Sequence, residues 1–431
     1  MSTPSIGLRT GRGRGRHSAP TAGQTIAILL CPVLPALVFT LPIPLAGSMT
    51  AAFGGTPEVG QLVSAIVAIS ALLTAVLAPL AGRLIDAYGR VRPLAGACVV
   101  VAVAGTAPIW LGSLELILAS RVLLGAANAV VLTTFVTLIG DGYRLRERDR
   151  LFGLQVTVST VVGVLMPVVV VALAGSDWRV PFALHLIGLP IALLLLLLVP
   201  ERHRLTRFGA RRLPPLEWRG LGTSCGMTAL GSLLFYSPIV FLPGRLTEIG
   251  VGDRTQLGLY LAVAGIGTVA GASSFGLLPE RRTEVLLPVA FVIGGVGVLG
   301  AGVGAGGGVA LVVASAVVGS FGCGLLLPTL LAWAVGALNI EQRGRSTGWW
   351  IGCLTLGPVM LQLISAALAG PLGGVGAVRV VIGIVSLMLA ALAPAVVRGS
   401  GAASTPGGAP AAGRAPAGAA LPTGTRRNLG A

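Results

Sequence analysis

The sequence predicts an all-α integral membrane protein with twelve transmembrane helices in two six-helix bundles related by a pseudo-two-fold axis. Three observations carry that reading. The chain is 54% apolar and only 10% charged, with a mean hydropathy of +0.92, whereas soluble domains run at about a quarter charged. It contains a dozen apolar runs close to the ~20 residues that a helix needs to cross a hydrocarbon core. The connections between those runs alternate between arginine-rich and arginine-poor.

Taken in order, residues 1–23 are rich in Gly and Arg and read as a disordered cytoplasmic arm. The first six spans are expected near 24–46, 59–81, 93–112, 114–139, 151–174 and 180–199, an N-terminal bundle over 24–199. The first run follows a basic arm, as a secretion signal does, but is too long and lacks an A-x-A exit, so it is read as an uncleaved helix. A basic, Pro-containing cytoplasmic loop occupies 200–219. The second set is expected near 220–243, 255–278, 285–303, 309–335, 347–369 and 375–397, a C-terminal bundle over 220–398. Residues 399–431, rich in Gly, Ala and Pro, form a disordered cytoplasmic tail.

In a soluble chain the net charge of +16 would suggest nucleic acid. Its distribution points elsewhere. All thirty basic residues are Arg, and twenty-five fall in the arm, alternate connections and the tail. The opposite connections hold only Arg179, Arg245, Arg254 and Arg379, and Arg121 lies inside a span. That bias is the positive-inside pattern, which puts both termini in the cytoplasm of a cell whose cytoplasmic membrane holds the chain. The partners expected are the lipid bilayer, with anionic headgroups facing the Arg clusters, and a small-molecule substrate, for a monomer with no nucleic acid. Cys31, Cys98, Cys225, Cys323 and Cys353 all lie in apolar runs without metal-like spacing, so neither disulfide nor metal nor cofactor is indicated.

The halves read as copies. Glu147-Arg148-Asp149-Arg150-Leu151-Phe152-Gly153 and Gln342-Arg343-Gly344-Arg345-Ser346-Thr347-Gly348 both spell [EQ]-R-x-R-x-x-G, offset by 195 residues. Gly276 and Glu280 look like a worn copy of Gly82 and Asp86.

Between spans 2 and 3 stands Gly82-Arg83-Leu84-Ile85-Asp86-Ala87-Tyr88-Gly89-Arg90-Val91-Arg92-Pro93-Leu94. Its glycines permit close helix approach and a tight turn, and Asp86 can face Arg90 and a helix N-terminus. The stretch resembles the most diagnostic loop of the major facilitator superfamily, G-x-L-x-D-x-x-G-R with further basic residues and a closing Leu. Gly82, Leu84, Asp86, Gly89, Arg90 and Leu94 match. Ala87 and Val91 replace basic residues of that pattern, with Arg92 beside them. The resemblance implies a gating cluster that holds the two halves together in an outward-open state. Trp178-Arg179-Val180-Pro181-Phe182 is similar to the family's W-R-x-x-F, and Arg121-Val122-Leu123-Leu124-Gly125 to the R-x-x-x-G of its drug:proton antiporter branch. Of that branch's glycine-rich motif in span 5, only Gly163 and Pro167 remain, with Met166 and Val170 at glycine positions. The family implies substrate binding near the bilayer midplane and rocking of the halves.

Arg121 is the strongest candidate for coupling or substrate contact, because a charge within the membrane is costly and functional by default. With Gly125 and Asn128 it occupies i, i+4 and i+7, one helix face turned into the bundle. Pairing with carbonyls or Asp177 is the structural alternative. No Asp or Glu occupies the middle of any span, and Glu115 alone lies near one, which tilts the cargo toward neutral or anionic compounds. Protons are the candidate coupling ion, through Glu115, Asp86, His185 or the surroundings of Arg121. His185 reads as an interfacial histidine, and Trp349 and Trp350 as interfacial anchors. Gln155, Ser232, Tyr236 and Gln362 are candidate cavity groups, each equally able to make a helix-helix hydrogen bond.

These features point to a secondary transporter, an exporter of drugs or specialised metabolites by alternating access. The chain has no Lys and hence no phosphate-binding G-x-x-x-x-G-K-[ST] loop. An importer or facilitator of a nutrient and a non-transporting membrane sensor are the alternatives. No arrangement of residues suggests an enzyme.

Overall fold

In the computed structural model, residues 20–55, 58–143, 145–175, 177–201, 216, 218–278, 283–303, 308–336 and 343–399 are described. Among them every regular element is helical. Twelve helices are long and apolar enough to span a membrane: α1 (Ala22–Ala52), α2 (Val59–Tyr88), α3 (Val91–Ile109), α4 (Leu114–Gly142), α5 (Arg146–Ala174), α6 (Val180–Leu198), α7 (Gly220–Glu248), α8 (Gln256–Leu277), α9 (Thr283–Gly302), α10 (Gly308–Val335), α11 (Arg343–Leu372) and α12 (Val375–Gly399). The basic arm, most of the central loop and the tail lie outside the described residues, as do Glu280 and Gln342.

Each span lies where the apolar runs predict it, and several continue further. Apolarity marks only the part of a helix that must lie in hydrocarbon. Backbone hydrogen bonding continues for one or two turns into the polar zone. As a result Gly82, Leu84 and Asp86 stand on the last two turns of α2 rather than in a loop, and Arg343 to Gly348 form the first turns of α11.

Three spans are interrupted where the sequence carries Pro. In α1 the helix runs Ala22–Leu30, Val33–Thr40 and Pro42–Ala52, broken at Pro32 and Pro42, each lacking the N–H that would continue the ladder. α6 opens as a 3-10 helix over Val180–Ile187 behind Pro181 and becomes α-helical at Gly188. α11 divides into Arg343–Thr355 and Gly357–Leu372, with Pro358 just past the break. Large apolar side chains such as Val168, Leu197 and Leu277 point outward at 70%, 70% and 81% exposure. Exposure on that scale has a natural solvent in lipid chains.

α1–α6 and α7–α12 form the two halves. The main contacts between them are α2 with the first segment of α11, α5 with α8 and α10, and the end of α4 with α11. The second segment of α11 packs instead on α7 and α12 of its own half.

The pseudo-symmetry is visible atom by atom. A Cβ on Gly348 would overlap the Ala78 carbonyl oxygen, and one on Gly153 would lie 2.5 Å from the Ala272 carbonyl oxygen. Gly82 meets the backbone of Gly344 and Arg345, and Gly276 meets Arg150. Each member has its mate 194 or 195 residues away. The repeated [EQ]-R-x-R-x-x-G therefore supplies one glycine to each of two equivalent inter-half seams.

Candidate functional site

The inter-half seam is the most densely charged place in the described chain. Asp86, at the end of α2, has a side chain only 2% exposed. Its Oδ1 accepts the Gly344 N–H at 3.2 Å and its Oδ2 the Arg345 N–H at 3.0 Å. These are first-turn amides of α11, which no intrahelical carbonyl can satisfy. The carboxylate thus caps a helix of the opposite half and meets its positive end. Arg345 Nε stands 3.4 Å from Asp86 Oδ2, and Arg90 Nη2 stands 3.9 Å from Oδ1.

A second carboxylate continues the network. Asp141, in the last turn of α4, receives Arg90 Nε at 3.0 Å on one oxygen and Arg343 Nη1 at 2.6 Å on the other. Arg343 Nη1 also donates to the Gly140 carbonyl at 2.9 Å. Two carboxylates and three guanidinium groups consequently join α2, α4 and α11. The glycines at the seam let the backbones approach closely enough for side chains this short to reach across.

Gly89 turns the chain out of α2 with φ +92°, a left-handed conformation that favours glycine. A Cβ there would also lie 2.9 Å from the Glu201 carboxyl carbon. Glu201, just after α6, accepts from the N–H groups of Arg90, Val91 and Arg92 at 3.0, 2.8 and 3.4 Å, capping α3. Of the predicted gating residues, Gly82, Asp86, Gly89 and Arg90 converge here. Leu84 is 39% exposed on the outer side of α2, and Arg92 contributes its backbone N–H while its side chain is exposed. Asp141, Arg343, Arg345 and Glu201 are members that the motif did not name. The duplicated Arg-x-Arg held a signal for two of them.

Arg121 is fully buried. Its Nη2 donates to the Ala104 and Gly105 carbonyls of α3 at 2.8 and 3.2 Å, its Nε to Ser120 Oγ at 3.3 Å, and its guanidinium lies 5.5 Å over the Phe182 ring. Nη1 has no partner. Asp177 is engaged elsewhere, accepting the Arg179 N–H at 2.9 Å. Gly125 and Asn128 face α2 instead. A Cβ on Gly125 would lie 2.8 Å from the Ser70 carbonyl oxygen, and Asn128 Nδ2 donates to Thr74 Oγ1 at 3.2 Å. The three residues are all interior, but Arg121 turns toward α3 and α6 while the other two build the α2–α4 seam.

Trp178 and Phe182 of the W-R-x-x-F stretch pack edge-on, with Phe53 against Trp178, and Arg179 Nη1 donates to the Leu111 carbonyl at 3.1 Å. That motif pins the start of α6 to the α3–α4 turn. His185 is fully buried against Gly105 with Nδ1 3.1 Å from the Phe182 carbonyl, so it is not interfacial. The 3-10 opening of α6 rotates it inward. Trp349, 39% exposed, meets Trp218 edge-on, but Trp350 at 2% is a core residue and not an anchor. Neighbours on a helix point about 100° apart, so one faces outward and the other inward.

Ser232 and Tyr236 of α7 come together at the break of α11. A Cβ on Gly357 would meet Ser232 Oγ at 2.6 Å and the Tyr236 ring at 2.9 Å. Ser232 Oγ donates to the Ala229 carbonyl at 2.7 Å. Gln155 is buried in α5 with Oε1 unpartnered, and Gln362 is exposed on the second segment of α11. No group of three or more potential metal ligands exists among the described residues.

Two six-helix halves, joined at one end by a glycine-lined, charge-bridged seam, define a membrane transporter fold. The chain belongs to the Major Facilitator Superfamily, whose family model matches residues 28–302. A comparison with curated proteins finds no match. Among solved structures, the human organic anion transporter MFSD10 (TETRAN) is similar at TM-score 0.74 and 17% identity, over 87% of this chain and 100% of that one. The proton:xylose symporter XylE bound to 6-bromo-6-deoxy-D-glucose gives 0.70 and 16%, over 86% and 94%. A bacterial homologue of the iron transporter ferroportin in its outward-facing state gives 0.69 and 16%, over 88% and 99%.

Proposed function

We propose that the protein is a secondary active exporter of small neutral or anionic organic molecules in the cell membrane. It works by alternating access, and the arrangement described here is outward-facing. The observation that carries this is the Asp86 bridge. A buried carboxylate of one half caps the first turn of α11 in the other, and the seam it closes lies on the arginine-rich, cytoplasmic side by the positive-inside bias. Gly82, Gly153, Gly276, Gly344 and Gly348, which meet the opposite half, all stand toward the arginine-rich ends of their helices, which fits an outward opening.

The cargo class is supported by charge. Among the described residues no Asp or Glu stands in the middle of a span, so an organic cation would find no buried counter-ion. Arg121 supports a coupling role in proton exchange, because a fully buried guanidinium with no carboxylate partner costs stability that a structural peg would not need. The test is accumulation of a broad compound panel in cells with and without the protein, with an uncoupler control. Lower accumulation of neutral or anionic compounds, lost with Asp86→Asn and with the uncoupler, is the expected result. Unchanged accumulation across the panel, or uptake that rises with the protein, would remove the exporter reading. The second would favour an importer.

A further inference from the structure

The C-terminal half contains a second buried charged site, far along the helices from the Asp86 seam. A cavity of about 30 Å³ lies between α7, α9, α10 and α12, walled mainly by Pro238, Phe241, Val298 and Ala316, with Arg245 and Arg379 among its lining. That is room for one or two particles of water size. The two arginines are 8% and 3% exposed.

Their partners are incomplete. Glu248, with a side chain 44% exposed, accepts Arg245 Nη1 at 3.1 Å and Arg379 Nη2 and Nη1 at 3.2 and 3.5 Å. Arg245 Nε donates to the Ala301 carbonyl at 3.2 Å, and the Arg379 guanidinium lies 5.8 Å over the Phe241 ring. Arg245 Nη2 and Arg379 Nε remain buried without any partner. Two guanidinium groups thus share one half-exposed carboxylate, which leaves one positive charge unmatched and two N–H donors unsatisfied. Either deficit is costly in a low-dielectric interior.

The repeated scaffold does not demand this cluster. At the positions 195 residues earlier, Arg245, Glu248 and Arg379 correspond to Thr50, Phe53 and Leu184. Phe53 there packs edge-on against Trp178, so the N-terminal half closes the equivalent region with aromatic contact. At an offset of 194 the positions are Ala51, Gly54 and His185, so neither offset places an arginine or a carboxylate there in the N-terminal half.

We infer that this cavity binds a small monovalent anion of chloride size, held by the N–H donors of Arg245 and Arg379. A water molecule could accept both orphan donors, but only an anion also cancels the surplus charge. The mostly apolar walls and the small space suit a weakly hydrated, monatomic halide.

Thermal unfolding of the purified full-length protein tests this in sodium chloride, bromide and gluconate at equal ionic strength. Chloride and bromide should raise the unfolding temperature saturably over gluconate, as any ligand of the folded state does. The increment is read within each variant, so a lower baseline does not obscure it. Arg245→Gln and Arg379→Gln should abolish the increment, with Arg379→Lys as the milder replacement. Glu248→Gln, which removes the competing carboxylate, should lower the half-saturating chloride concentration about threefold or more. Bromide soaked into crystals should give an anomalous peak between the two guanidinium groups. Equal unfolding in all three salts, an increment that survives in both arginine variants, or water density without bromide at that place would each overturn the proposal. So would a Glu248→Gln variant whose chloride dependence weakens like that of the arginine variants, because the cluster would then be a purely structural clamp.

Discussion

Replacing Asp86 with Asn should open the inter-half seam, and the size of the effect follows from the contacts. The native carboxylate accepts two α11 amides at 3.2 and 3.0 Å and faces Arg345 and Arg90 at 3.4 and 3.9 Å. Asn retains one acceptor oxygen of nearly the same shape, so one amide loses its partner and both guanidinium groups lose the charge. A charge-assisted hydrogen bond lost from a buried site costs about 1.5–3 kcal/mol. At about 1.4 kcal/mol per tenfold, the open population should rise roughly 10- to 150-fold. Amide hydrogen exchange in lipid nanodiscs measures this on the native chain and the variant. Exchange over residues 343–352 and 78–88 should accelerate by about the same factor, while α9 and α12 stay protected. Exchange at the seam within twofold of the native chain, in a variant that remains folded, would refute the capping role.

Other expectations follow from the same geometry. Gly348→Val should impair closure and lower transport at least about tenfold, and Gly153→Val should do the same, because each places a side chain against a carbonyl of the opposite half; transport assays on equal amounts of folded protein check this. Arg121→Met should leave the unfolding temperature unchanged or raise it, since it removes a buried charge that no carboxylate matches. It should nevertheless lower transport about tenfold or more, and loss of stability with normal transport would make Arg121 a packing residue. Reporter fusions after Arg150 and Arg212 should both report the cytoplasm.

The spans and their order were legible because apolar length and arginine bias are imposed by the bilayer itself. The positions of the helix ends were less so, since α2 and α11 extend past the hydrocarbon limit and turn an expected loop into helix. The gating motif pointed to Asp86 but not to Asp141, which looks like any acidic residue at a helix end until α11 brings Arg343 beside it. Periodicity placed Arg121, Gly125 and Asn128 together, and the fold separates their contacts because a long guanidinium stem can turn to α3 while the shorter groups stay on α2. His185 and Trp350 were misplaced for a related reason. Sequence gives depth along a helix, but the direction a side chain faces depends on local winding and on which neighbour is small. The symmetry of the two seams was readable in the repeated Arg-x-Arg-x-x-Gly and in the worn Gly82/Gly276 pair, but the carbonyls of Ala78 and Ala272 that meet the repeated glycines carried no signal of their own.

Alternating access requires the halves to separate and rejoin at the arginine-rich side. Thr157 of α5 and Ser273 of α8 face one another across the halves with their hydroxyl oxygens 3.1 Å apart. A Thr157→Cys, Ser273→Cys double variant, oxidised in membranes, should cross-link nearly completely, lose transport of a compound whose accumulation the native protein changes, and regain it on reduction. Complete cross-linking with transport undiminished would contradict alternating access through this seam.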